Sequence, residues 1–567
     1  MTVLILRKVK NKIVEVLSDL RYEMFAFLLF VLTRLNNLGY DMFNTDVWKW
    51  KSRIYDFGEG IFTLSFEKTL QRYHPGVTLM WLGALGVKLQ SFYYKVVLGF
   101  SPPDNDIQTV FILHFFQKIV IVLALGLAVA AIFFALKKIA GISLAVIFVL
   151  LLNFEPFYIA LTRVVHLEGL LATFMLAAFL WFYLAFIHQS DVAPQNKKFY
   201  HNKSFLFASF FAACAVLTKT SALIILPTFG LMLYFNSKNI ISSLKYYIPW
   251  LVLVSVFFIL LWPAMWVQPV SVLNELSKGI FDTGVEEGHI QLYFGELVDD
   301  PGPTFYFVVL LLRSSLYMIP GFLLTLFSYK KLSNSKKKFI KYTLFFSAMY
   351  FIEMTIPTKK LDRYILPALV LQLMTSAVGL EYFFRELFVT KIKAVYKYLV
   401  AICFILPAFF TYLYLNGDYF SYYSPYFGGL RVGIKVLEPK WLIGQKQIKG
   451  FFSDPVVWAD FEPFAKEESL DGLLYKSTIN ERLLVGFPEK YYTQVWPFIR
   501  EVGAWATIKT LTPQAVKTAY FVYPVWDDTS ADEDRFEIEY LGSISERGVK
   551  LYNVYRSCRI FDCGREN

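Results

Sequence analysis

From its start to about residue 415, the chain alternates apolar blocks near membrane-crossing length with short polar stretches. A run of about 20 apolar residues spans the hydrocarbon core of a bilayer as a helix, so this pattern predicts a stack of transmembrane helices. Spans are predicted near 24–40, 108–136, 141–158, 168–187, 247–266, 305–328, 342–357, 364–384 and 398–415. Residues 204–236 read as an out-and-back pair turning at LTKTSA. The total is about eleven. Residues 75–98 are also apolar but carry Pro75, Gly76, Gly83 and Gly86, and read as interfacial or re-entrant helices. After about Asn416 the pattern shifts. Strand-like pieces (AYFVYPVW, FEIEYLGSI, VKLYNVYR) follow a helix-like one (PEKYYTQVWPFIREVG). The expectation is a polytopic α-helical membrane module, 1–415, followed by a small soluble α/β domain, 416–567.

Composition agrees with the patterning and excludes a soluble class. Among 567 residues, 56% are hydrophobic and 19% aromatic, and mean hydropathy is +0.46, beyond what a soluble core absorbs. The net charge of +11 comes from short Lys/Arg clusters at 7–12, 137–138, 197–203, 330–341 and 385–397. Spaced between apolar blocks, these mark cytoplasmic loops rather than a nucleic-acid groove. The predicted topology is a multi-pass cell-membrane protein with the N-terminus inside and the C-terminal domain outside. Outer loops then fall near 40–107, 153–168, 267–304 and 357–363. Cys214 and Cys403 lie in apolar runs as packing residues, whereas Cys558 and Cys563 can pair if they face an oxidising compartment.

Chemistry-bearing residues gather on those outer loops. Asp46 opens a polar, tryptophan-rich stretch (40–81) directly after the first span, where a carboxylate is costly and is usually kept for function; as a plain surface residue it would only cap the helix from Val47. TRVVHLEG supplies Arg163, His166 and Glu168, with Arg163 and His166 three residues apart on one helical face. Arg163 equally suits a structural role, holding a loop or a lipid headgroup, and His74 in RYHPGVT can simply bond its neighbours. PTKKLDRYILP places Lys359, Lys360 and Arg363 at the outer mouth of a span pair, against the positive-inside tendency. Three cations there call for an anion, and phosphate fits; snorkelling to anionic lipid heads is the simpler alternative. GHIQLYFG has no metal-ligand spacing.

The ordered set TDVWKWKSR, YHPGVTLMWLG, LTRVVHLEG, LTKTSALIILP, WPAMWVQP, GHIQLYFG with DPGPTFY, and KKLDRYILP resembles the GT-C glycosyltransferases of the protein O-mannosyltransferase and aminoarabinose transferase type. The resemblance implies inverting sugar transfer from a polyprenyl-phosphate donor to a protein, glycolipid or polysaccharide acceptor. It makes Asp46 the base and Glu168 a second catalytic carboxylate. Lys359, Lys360, Arg363 and Arg163 would hold the donor phosphate, and His74, His166, Lys219, His289 and Tyr364 would line the substrate site. No cofactor is required and no metal ligand is assigned, though a divalent cation is compatible. This chain departs from the family in having Asp46-Val47 where Asp-Glu is frequent, and Glu168 where Asp is frequent. The competing class is a polytopic transporter or lipid flippase, which predicts ionisable residues midway along the spans, and few are found.

Overall fold

In this computed structural model, residues 20–188, 202–281, 290–458, 484–508, 518–527 and 537–563 are described, apart from positions 73, 105 and 562. The helices that organise the membrane part are α1 (Arg21–Leu35), α2 (Val47–Phe62), α3 (Val77–Phe92), α4 (Ile107–Ala140), α5 (Ile142–Asn153), α6 (Pro156–Thr162), α7 (Glu168–Phe182), α8 (Lys203–Thr218), α9 (Ile225–Ser237) and α10 (Ile240–Leu261). They continue with α11 (Phe305–Arg313), α12 (Met318–Ser328), α13 (Asn334–Thr355), α14 (Leu366–Val389) and α15 (Ala394–Leu415). Local sequence explains their limits. Asp106 accepts from the backbone N–H groups of Gln108 and Thr109 to cap α4, and Gly141, at φ 90°, ends it.

Each predicted span holds helix over most of its length, without fixing the number of crossings at eleven. Among the described residues, six stretches are long and apolar enough to cross a membrane, or up to eight if two bent pairs count as one span each. One bend, of 70°, separates α5 from α6 at Pro156. The other, of 104°, separates α11 from the helix that follows it, so the predicted straight span 305–328 is broken at Ser314–Tyr317. The first helix stops at Leu35 rather than Tyr40. Within residues 75–98 no break falls at Gly83 or Gly86: α3 runs unbroken into a π-helical turn at Tyr93–Leu98. Its glycines are sites of close approach instead of breaks, since a Cβ at Gly86 would lie 2.7 Å from the Gln117 Cα.

Helix α7 is buried over its whole length and forms the hub of the bundle. A helix apolar on every side can pack against protein all round, as this one does. By contrast α10 and α15 leave most of their surface exposed, as lipid-facing helices do. Residues 416–452, predicted to belong to the outer domain, lie against the helical part. Arg313, at the α11 bend, donates to the carbonyls of Phe420 (2.8 Å) and Tyr422 (2.6 Å), and the Tyr422 hydroxyl donates to the Ser314 carbonyl (3.0 Å).

A hairpin, β1 (Gln291–Tyr293) with β2 (Glu296–Val298), lies in the long loop before α11. The C-terminal sheet comprises β3 (Leu484–Phe487), β4 (Trp505–Ile508), β5 (Thr518–Pro524), β6 (Ile538–Glu546) and β7 (Val549–Ser557) in the order β4-β3-β5-β7-β6. Strand β3 is parallel to β4 and β5, while β7 runs antiparallel to β5 and β6. Helix α16 (Glu489–Glu501) makes the crossover from β3 to β4. The three strand-like sequences and the helix-like one thus occupy their predicted elements, and Cys558 and Cys563 form a disulfide.

Candidate active site

Four breaks in the helical bundle converge. Asp46 begins α2, His166 and Glu168 sit where the chain enters α7, and Lys219 follows α8 at an extended backbone position (φ −155°, ψ 141°). Arg363 and Tyr364 come from the single 3-10 turn (Asp362–Ile365) leading into α14. Interruptions at one level leave backbone and side chains to meet there, away from the helix-to-helix packing.

The Asp46 carboxylate faces His166 Nε2 at 3.4 Å and Arg363 Nη2 at 3.6 Å through one oxygen, and Lys49 Nζ at 3.9 Å through the other. No side-chain cap bond to α2 is made, so the plain capping role is not the one it performs. The other nitrogen of His166, Nδ1, faces Glu168. Glu168 also meets Lys219 Nζ at 3.2 Å and Arg363 Nε at 3.9 Å. Two cations share one aromatic ring: Lys219 lies 3.6 Å and Arg363 5.5 Å from the centre of Tyr364. The side chain of Asp46 is 30% exposed, against 6% for His166 and 1% for Glu168, so Asp46 is the carboxylate that an incoming molecule can reach.

Electrostatics follow from this packing. Burial on its own would raise the Asp46 pKa, but the hydrogen bond and charge of His166, then Arg363 and Lys49, hold it well below the usual carboxylate range. Burial would likewise lower His166, yet Glu168 and Asp46 together carry it above its ordinary value. Asp46 is therefore ionised and His166 favours its cationic form. His74 goes the other way, held down to about 3 by burial first and by the nearby Lys219 charge second.

The remaining predicted residues are distributed differently. Lys360 is 3% exposed and engaged with Asp300 (2.8 Å) and the Pro357 carbonyl (2.6 Å). Arg163 pairs with Asp41 (2.9 Å), which also binds Lys118 (2.5 Å), in a buried cluster that fastens the loop after α1. Lys359 contributes its charge near His74. His289 lies outside the described residues.

Two residues at the site had not been singled out. Trp441, fully buried, meets His166 edge-on at 5.0 Å and lies 4.9 Å from the Arg363 guanidinium. It comes from the stretch read as a separate domain, so nothing in the sequence placed it here. Glu353 stands one turn beyond Tyr350 on α13, within reach of the Lys219 charge, and among the described residues its Oε2 is buried with no hydrogen-bond partner. A lone acid in YFIEMTIP was the available signal.

The fold and site define a multi-pass helical membrane protein with a carboxylate–imidazole–carboxylate array, open at Asp46, beside two cations. Against solved structures, the chain is similar to ArnT from Cupriavidus metallidurans bound to undecaprenyl phosphate, at 14% identity over 94% of this chain and 96% of that one, TM-score 0.43. It is also similar to the Archaeoglobus fulgidus oligosaccharyltransferase in its apo form (12% identity, 94% and 74% coverage, TM-score 0.44). A third similar structure is AglB from Archaeoglobus fulgidus with an inhibitory peptide and a dolichol-phosphate (12%, 94% and 73%, TM-score 0.45). No protein-family model and no curated protein matches the chain.

Proposed function

We propose that the chain is a membrane glycosyltransferase that moves a sugar from a polyprenyl-phosphate donor to an acceptor hydroxyl or amine at the outer face, with inversion. The observation that carries this reading is the reachable Asp46 carboxylate held beside Arg363, itself coupled through Tyr364 and Glu168 to Lys219. A base and an anion site within one array suit displacement at an anomeric carbon. Asp46 takes the acceptor proton and the acceptor atom bonds to the anomeric carbon. The bond from that carbon to the phosphate oxygen breaks, and its electron pair leaves with the polyprenyl phosphate. Arg363 and Lys219 stabilise the charge on that oxygen. His166, flanked by both carboxylates, orients Asp46.

Free of donor, Asp46 is a weak base because of the cations around it. A donor phosphate that draws Arg363 toward itself would relax that hold and raise the basicity of Asp46 as the substrate arrives. The site sets two carboxylates against three cationic side chains when His166 is protonated, so it favours an anion over a divalent cation. A topology with N-terminus inside and outer domain outside puts this array at the outer membrane surface. The test is binding of undecaprenyl phosphate to purified protein in nanodiscs. Arg363→Ala and Lys219→Ala weaken it if the reading holds, and unchanged binding in both variants removes the phosphate assignment.

A further inference from the structure

Helix α16 is amphipathic, burying Tyr491, Gln494, Val495 and Phe498 on one side. Its other side, where solvated polar residues are the norm, instead shows Tyr492, Trp496 and Arg500 at successive four-residue steps. These three face a cavity of about 240 Å³ whose opposite walls are Trp505 on β4 and Asp104 with Asp106 before α4. Ala504 and Ala506 are too small to fill its floor. Arg500 lies 4.3 Å from the centre of the Trp505 ring, and Trp496 packs on Trp48 at 5.0 Å. Trp48 in turn donates to the Thr493 carbonyl (2.5 Å). The cleft is thereby fastened to the start of α2, two residues from Asp46.

We propose that this cleft binds a saccharide unit of the acceptor, a reading that rests on the glycosyltransferase assignment and narrows its acceptor to a glycan. Partly exposed tryptophan and tyrosine rings line the cleft, and the ring surface left uncovered suits the apolar C–H face of a pyranose ring. An arginine and acids at the rim match hydroxyls that both donate and accept. Size favours one ring, since the cavity is below the roughly 300–1,000 Å³ of sites for drug-sized ligands. An apolar lipid chain would find charged walls here. β4 is an edge strand, paired among the described residues toward β3 alone, so a peptide added along its other edge is the competing occupant, and the peptide arm of the test scores it.

The test uses the full chain in nanodiscs, presented to an array of defined cell-surface oligosaccharides and, in parallel, of peptides. The expected result is binding of at least one saccharide, weakened tenfold or more in Trp496→Ala and Trp505→Ala and restored in Trp496→Phe and Trp505→Phe. The phenylalanine variants separate loss of stacking from loss of folding. The readout is binding rather than turnover, so the cleft is scored even if no transfer from a polyprenyl-phosphate sugar is ever measured. No saccharide bound across the array, binding to peptides alone, or saccharide binding indifferent to both alanine variants overturns the proposal.

Discussion

Asp46 and its neighbours form a closed electrostatic set, and single substitutions separate their tasks. Asn is nearly isosteric with Asp but takes no proton at neutral pH. Asp46→Asn is expected to insert, fold and bind donor while the chemical step falls about 100-fold or more; single-turnover transfer from a polyprenyl-phosphate sugar measures it, and full turnover would sink the base assignment. Arg363→Ala is expected to weaken donor binding by roughly 1.5–3 kcal/mol, the range for a charge-assisted hydrogen bond. Lys360→Ala is expected to change it far less, because Lys360 is committed to Asp300. The pH dependence has two limbs. His166, with a raised folded pKa, contributes stability that is present below about 6.5 and lost as pH rises through its folded value. Asp46, with a depressed one, contributes stability present above about 3.9 and lost as pH falls through its folded value. Thermal unfolding against pH is therefore to peak between them, and His166→Gln is to flatten the alkaline side.

Among the elements, the entry into α7 is the most exacting. Gly169 approaches the end of α6 so closely that a Cβ would lie 2.2 Å from the Leu161 carbonyl oxygen. Gly169→Ala must push α7 away, carrying Glu168 with it, and is expected to cost about 1–3 kcal/mol, as overpacking does. Gly450→Ala, where a Cβ meets nothing within 4 Å, is the control and leaves the unfolding midpoint unchanged or slightly higher. Much of this was legible in the chain. Apolar runs located the helices because a span needs length and hydrophobicity and little else, and TRVVHLEG yielded His166 and Glu168 because polar residues stand out among apolar ones. Bends were less legible: Pro156 marks one, but the 104° turn after α11 depends on Arg313 reaching Asp362 at 2.6 Å, forty-nine residues away. Partner choice was invisible for the same reason. Nothing local says that Lys360 would go to Asp300 while Arg363 goes to Asp46.

At the scale of the whole molecule, the assignment of the two faces is open to direct measurement. In a Cys403→Ser background, an impermeant thiol reagent applied from outside is expected to label Ser543→Cys and to spare Ser335→Cys, both of which are exposed positions. The reverse pattern would invert the topology. The sheet and the helices are not independent bodies, since Trp48 bonds to α16 and Lys490 links Glu438 with Asp527 (both 2.7 Å). Trp441 gives this arrangement a further meaning. It is the ring beneath Arg363 and beside His166, yet it lies 26 residues beyond Leu415, the end of the last membrane helix. If the array is the catalytic centre, a nascent chain completes its bundle of helices before that centre exists, and only the later segment closes it. Chains released after residue 415 are expected to reach the membrane and remain silent in transfer, and adding residues 416–567 as a separate polypeptide offers a way to ask whether the two parts can find each other again.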